Sequence, residues 1–136
     1  MHFCPAFADN SYDEMLFGTY SGESTAARAT YGTVVVTKEN ISWRGEAGSL
    51  CKTTYSIVSK GTNEPCPSMS TPSPETGCIT FKLKPGASEC TQGIGYLMFS
   101  FQAYFHPTVE LVEYEKNGQI RNITELMRNF ERLKKP

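Results

Sequence analysis

The sequence predicts a mainly β domain, an antiparallel β-barrel of seven or eight strands with a C-terminal α-helix. Short segments alternate apolar with polar residues, as residues 79–83 do, which is the period of a half-buried strand. Turn residues such as Asn117-Gly118 separate these segments. From Ile123 onward the apolar period becomes helical. A plain sheet with a helix across it is the alternative architecture.

The predicted strands follow one another closely along a single domain of residues 13–136. They cover residues 15–21, 33–38, 41–44, 51–59, 78–83, 95–105, 109–115 and 119–121. Residues 22–30 are small and polar, which predicts a loop or a short helical turn. Residues 1–12 show no period and are the predicted N-terminal tail.

A closing helix is predicted over residues 123–135. Asn122, followed three residues later by Glu125, is typical of a capping box at a helix start. Basic side chains, Arg128 among them, outnumber acidic ones here; they form either a docking surface for an acidic partner or a solvated face. The apolar helical face consists of Ile123, Leu126, Met127, Phe130 and Leu133.

The composition argues against two classes of partner. The chain has 136 residues and a net charge of −1, so it lacks the basic surplus that phosphate backbones attract, and no nucleic-acid partner is expected. No apolar run approaches the roughly 18 residues of a membrane span, so no transmembrane segment is expected. The first ten residues do not resemble a signal peptide; either the chain is not exported or it begins after a removed signal.

Five cysteines favour disulfides and therefore a secreted or periplasmic protein. No close-spaced cysteine pair is present, which disfavours a zinc site, although cysteines buried in a reducing compartment remain an alternative. If residues 51–59 pair with residues 78–83, Cys66 with Cys78 would tie the Pro/Ser-rich loop, and Cys51 with Cys90 would close the outer end of that hairpin. The sequence alone leaves the connectivity open. Cys4, in the tail, is the odd residue.

No catalytic constellation is recognisable, so the protein is not expected to be an enzyme, and no cofactor or metal is expected. The histidines are His2 in the tail and His106 before a proline. The acidic residues of one strand, Glu110, Glu113 and Glu115, suggest a solvated face, although a paired-carboxylate hydrolase is not eliminated.

Aromatic side chains on the strands provide the first functional hypothesis. Inside a barrel they either line a ligand cavity or fill the interior. The cavity interpretation makes the protein a non-enzymatic binder of a small apolar molecule; the alternative is a protein-binding inhibitor or immunity-type module that acts through surface loops. The candidate ligand-binding residues are Trp43, Tyr55, Met98, Phe99, Phe101 and Tyr104.

Gly18-Thr19-Tyr20, the run of antiparallel strands and the closing helix resemble the calycin superfamily, the lipocalin-like barrels. In that family a Gly-x-Trp motif on the first strand packs against a basic residue near the chain end. Here Tyr20 replaces the tryptophan, Arg121 is the candidate basic partner, and the second family motif is absent. The resemblance implies an apolar ligand in the barrel and no cofactor.

Residues 55–61 are similar to a short signature of the periplasmic inhibitors of c-type lysozyme, which are small β-barrels. In those proteins a serine and a lysine enter the acidic lysozyme cleft. The resemblance implies that Ser59 and Lys60 bind a protein partner from a turn that ends their strand. The companion motif upstream is missing.

We expect the unreduced protein, purified from its host compartment, to be lighter than the reduced protein by two hydrogens for each disulfide. Intact-mass spectrometry with and without reductant measures this difference. An unchanged mass would overturn the inference that the protein is exported.

Overall fold

The computed structural model describes residues 13–45, 48–64, 66, 77–102 and 107–129. These residues form a closed antiparallel barrel in which each strand pairs with the next along the chain and the last pairs with the first. The mainly β fold and the predicted strand number are confirmed. The strands are β1 (Gly18–Gly22), β2 (Thr33–Val36), β3 (Asn40–Arg44), β4 (Cys51–Glu64), β5 (Cys78–Pro85), β6 (Tyr96–Phe101), β7 (Thr108–Tyr114) and β8 (Ile120–Arg128).

Two predicted hairpins are present. β2 pairs with β3, and β7 pairs with β8 across the Asn117-Gly118 turn. Gly118 has a φ of 93°, a conformation that side chains with a Cβ rarely adopt, and its N–H donates to the Glu115 carbonyl. This turn defines the hairpin end of the barrel.

The small polar segment after β1 forms a single short helix, α1 (Thr25–Thr30). The Ser24 hydroxyl caps its start by accepting a hydrogen bond from the Ala27 N–H at 3.0 Å. β1 begins at Gly18 rather than at Met15, because residues 13–16 turn tightly, with Leu16 N–H donating to the Asp13 carbonyl. α1 lies at the hairpin end, and residues 13–17 lie at the opposite end.

β4 is longer than predicted. The Lys60-Gly61 pair was expected to end the strand, but pairing with β5 continues to Glu64, so the predicted turn is wrong. A β-bulge at Val58 puts two residues of β4 opposite one step of β5. Beyond the bulge, Lys60 lies opposite Phe81, on the face of β5 that points into the barrel.

Both predicted disulfides are present. Cys51 bonds to Cys90 near the hairpin end, and Cys66 bonds to Cys78 at the far end of the β4–β5 pair. They span 39 and 12 residues of sequence, which corresponds to stabilisation of about 4 and about 3 kcal/mol in the chain-entropy account. Each bridge therefore fixes one end of the same strand pair.

The predicted helix over residues 123–135 is wrong for residues 123–128, which belong to β8. Thr124, Leu126 and Arg128 alternate into the barrel, whereas Ile123 and Met127, members of the predicted helical face, are 37% and 40% exposed. Asn122 caps no helix; its side-chain amide donates to the Thr124 hydroxyl at 3.0 Å.

The strand prevails over the helical period because β8 has a partner on each edge. It pairs with β7 along its whole length and with β1 from Leu126 to Arg128. A helix there would leave two strand edges with unpaired N–H and C=O groups. Residues 130–135, the rest of the predicted helix, lie outside the described residues, as do the predicted tail (residues 1–12, with Cys4), residues 67–76 of the loop, Tyr104 and His106.

The core occupies the barrel interior and is formed by apolar side chains from every strand. Its largest fully buried members are Tyr20, Tyr31, Phe81, Phe99, Phe101, Met15, Leu16, Ile41, Leu83, Leu97, Leu111 and Leu126.

We expect Phe101→Ala to lower the free energy of unfolding by about 3–5 kcal/mol, because it removes a fully buried ring that contacts Tyr20 and Phe81. Phe17→Ala, at a half-buried position, serves as the control and should cost less. Urea unfolding measures both values. Equal losses in the two variants would show that Phe101 is not a central packing residue.

Candidate binding site

The barrel interior holds three of the predicted ligand-binding residues. The rings of Phe99 and Phe101 lie 5.3 and 6.3 Å from that of Tyr20, measured between centroids. Trp43 packs edge-on against Tyr31 at 5.6 Å. These distances are typical of rings in contact. The aromatic side chains therefore fill this part of the interior with one another.

Two of the other predicted ligand-binding residues, Met98 and Tyr55, have different surroundings. Met98 is on the outer face of β6, where the Tyr114 hydroxyl contacts its sulfur at 3.9 Å. Tyr55 is half-buried at the end opposite the hairpin, and its hydroxyl donates to the Thr37 carbonyl at 2.7 Å. The structure thus brings Phe99 and Phe101 together, places Met98 on the opposite face of β6, and packs Tyr55 against the core from a half-buried position.

Residues 13–16 close the end opposite the hairpin. The Arg128 guanidinium, only 4% exposed, donates to the Met15 carbonyl and stacks over Phe101 at 5.3 Å. The Tyr20 hydroxyl donates to the Leu16 carbonyl at 2.5 Å. Burial raises the pKa of Tyr20, and the Arg128 charge offsets part of that rise. Arg128 is therefore a buried structural cation, and its predicted place on an exposed basic helix is wrong.

A buried carboxylate closes the hairpin end. Glu113 accepts a hydrogen bond from the Tyr31 hydroxyl at 2.6 Å, and its other oxygen lies 3.2 Å from Arg121 Nε. Burial raises the pKa of Tyr31, and the Glu113 hydrogen bond and charge raise it further. The prediction of a solvated acidic face is wrong for Glu113 and Glu110, which are 7% and 6% exposed.

The basic residue beside Tyr20 is Arg128 rather than Arg121. Tyr20 and Arg128 are direct partners in the β1–β8 ladder. Arg121 lies at the hairpin end, where it contacts Glu113 and the Gly93 carbonyl. Arg121, the candidate basic partner of Tyr20, is thus not the arginine beside that ring.

The predicted partner-binding residues, Ser59 and Lys60, point to opposite faces of β4. Ser59 is exposed and lies opposite Lys82. The Lys60 ammonium donates to an Asp13 carboxylate oxygen at 2.8 Å, and both side chains are about three-quarters buried (22% and 23% exposed). Lys60 would have to leave Asp13 to reach a partner, so its role in protein binding remains a prediction.

A groove that the sequence did not predict lies on the rim at the hairpin end. This rim groove has a volume of about 710 Å³ and is lined by residues between Lys84 and Tyr96 and by Lys116. The volume lies within the range of small-molecule sites. The lining includes the apolar side chains of Pro85, Ile94 and Tyr96 and the hydroxyl-bearing side chains of Ser88 and Thr91.

The loop that forms the groove is fixed at several points. The Thr91 hydroxyl donates to the Gly86 carbonyl at 2.8 Å and accepts from the Ser88 N–H at 3.0 Å. Gly86 N–H donates to the Thr54 carbonyl, and Gly95 N–H donates to the Tyr114 carbonyl, both at 2.7 Å. The Cys51–Cys90 disulfide adds a covalent link. The loop is therefore held in one conformation before any ligand arrives.

Little in the sequence pointed to this groove. Residues 85–93 lie between the predicted strands 78–83 and 95–105, and only Cys90 indicated an attachment to the barrel. The burial of Glu113 could have been predicted from the sequence, because this residue alternates in phase with the inward-facing Val109 and Leu111.

Comparison of the chain with known protein families, with curated proteins and with solved structures finds no match. Within the described residues, no helix has the length and apolar character needed to cross a membrane. In that same part of the chain, no group of three or more histidine, cysteine or acidic side chains is arranged to hold a metal ion. The two disulfides fit an extracellular or periplasmic location.

We expect Tyr55 to make the fold sensitive to alkaline pH. Burial, with a smaller contribution from the Asp13 charge, raises the pKa of Tyr55 to about 12 from its ordinary value of 10.0. Because the folded state favours the neutral phenol, this stabilisation is complete below pH 10.0 and is lost as the pH rises toward 12. Urea unfolding across this range should show a shallower loss of stability for Tyr55→Phe; equal slopes would contradict the prediction.

Proposed function

We propose that the protein is a non-enzymatic binding protein of the secreted or periplasmic space, and that it binds its ligand in the rim groove. The observation that carries this proposal is the contrast between two regions. The interior is occupied by rings in mutual contact, whereas the rim groove offers about 710 Å³ of open volume.

Closure of both barrel ends supports binding at the rim. Arg128 and residues 13–16 occupy one end, and Tyr31 with Glu113 occupies the other. A molecule entering the interior would have to separate a buried hydrogen bond at 2.6 Å, or the contacts of Arg128 with Met15 and Phe101. Leaving such groups buried and unpaired is costly. A ligand in the rim groove avoids that cost.

The composition of the groove supports binding rather than catalysis. Among the described residues that line it there is no carboxylate, histidine or thiol to act as a base or nucleophile. The side chains that are present supply apolar contact and hydrogen bonds, the mixture typical of a ligand site.

We expect Ala87→Trp to block the groove. Ala87 is exposed and lines the groove, so the larger side chain enters open space instead of the core. Ala26→Trp, at an exposed position of α1 outside the groove, is the matched control. Native mass spectrometry of protein purified from its own compartment should show a small bound molecule on the wild type and on Ala26→Trp but not on Ala87→Trp.

Retention of the molecule by Ala87→Trp would place the ligand elsewhere and revive the barrel-cavity hypothesis. Absence of any small molecule from all three proteins would contradict the proposal and favour a protein partner. Circular dichroism and thermal unfolding establish that both tryptophan variants are folded.

A further inference from the structure

Charge distinguishes the rim groove from an ordinary apolar cleft. Its described lining contains two ammonium groups, those of Lys84 and Lys116, and no carboxylate. Both lysines are exposed, and neither forms an ion pair within the described part of the chain. They come from different elements, Lys84 from the end of β5 and Lys116 from the β7–β8 turn, so the two lysines line one groove only because the barrel brings these elements together.

A third lysine adds to the positive charge beside the groove. The Lys82 ammonium lies 4.7 Å from the centroid of the Tyr96 ring and 4.8 Å from that of Tyr114. These cation–π contacts hold the charge in place on the outer face of the sheet. Tyr96 lines the groove as well, so its ring connects the fixed Lys82 charge to the lining. Two lysines thus lie in the lining of the groove, and a third, Lys82, lies beside it on the ring of Tyr96.

The acidic residues closest in sequence lie outside the lining of the groove. Glu89 is exposed in a 3₁₀ turn (Glu89–Thr91), and Glu115 adjoins the β7–β8 turn; neither side chain belongs to the groove lining. A positive cleft in a chain with a net charge of −1 is a local feature and does not reflect the overall composition.

We infer that the ligand of the rim groove is a small anion with an apolar body, that is, a molecule that carries a carboxylate or sulfonate group beside a ring or a short aliphatic chain. The inference rests on the proposed function. Lys84 and Lys116 bind the anionic group through charge-assisted hydrogen bonds. The apolar surfaces of Pro85, Ile94 and Tyr96 contact the remainder of the molecule.

Two fluorescent probes of similar apolar size test the inference: 8-anilino-1-naphthalenesulfonate, which is anionic, and N-phenyl-1-naphthylamine, which is neutral. We expect the wild type to bind the anionic probe more tightly, with an affinity that falls as salt is added. The double variant Lys84→Gln/Lys116→Gln should lose about tenfold or more of its affinity for the anionic probe and keep its affinity for the neutral one.

Two controls separate the groove from the rest of the protein. Lys38→Gln/Lys52→Gln removes the same total charge at exposed lysines outside the rim groove and should leave binding of the anionic probe unchanged. Ala87→Trp should abolish binding of the anionic probe, and thermal unfolding confirms that each variant is folded.

The possible failures are distinguishable. Equal binding of the two probes, sensitive to Ala87→Trp but not to the lysine changes, would overturn the anionic ligand and leave the proposed function standing. An equal loss in the two lysine double variants would attribute the effect to overall charge and would also overturn the inference. If neither probe showed binding that Ala87→Trp abolishes, the inference and the proposed function would both be overturned.

Discussion

The pairing of β8 with β1 is the constraint on which the other features of this protein depend. A sheet of this size with two free edges would expose unpaired backbone groups along both, and closure removes them. Leu126 to Arg128 must then be extended and must alternate across the barrel wall. The same alternation carries the Arg128 side chain into the interior, beside Tyr20 and over Phe101. Closure thus explains why residues 123–128 form a strand instead of the predicted helix, and why the Arg128 side chain is buried.

Closure also bears on the proposed binding site. An eight-stranded barrel encloses a volume that side chains can fill. In this chain the ring of Tyr20 contacts those of Phe99 and Phe101 inside the barrel, and Phe101 also contacts Phe81. The ends are closed by polar groups, Arg128 at one and Glu113 at the other, and each is hydrogen-bonded to another residue. In the proposed function, binding is therefore left to a loop, which is common in folds with a rigid scaffold. The loop at the hairpin end is fixed by the Cys51–Cys90 disulfide and by the hydrogen bonds of Thr91 and Gly86.

The features that could be read from the sequence are local. Alternation in residues 79–83 and in residues 97–101, the Asn117-Gly118 turn and the nesting of four cysteines each depend on neighbours along one hairpin. The features that were missed depend on distant parts of the chain. Residues 123–128 follow a helical period in the sequence, and pairing with the distant strand β1 is part of what makes them a strand. The rim groove is lined by Lys84 from β5 and by Lys116 from the β7–β8 turn. No local sequence pattern predicts that these two lysines line the same groove.

The extra residue at Val58 has a consequence for how this barrel accommodates insertions and deletions. β4 has one residue more than β5 at this point, so Val58 and Ser59 are both exposed before the alternation resumes with Lys60 pointing inward. Removal of Val58 would restore a regular ladder in which Ser59 stays on the outer face and Lys60 on the inner face. If Val58 instead took the place of Ser59 in the ladder, Ser59 would turn inward and Lys60 would turn outward, away from Asp13. The ion pair at this mouth therefore depends on the extra residue remaining outside the ladder, and β4 can lose that residue without losing the inward-facing cation.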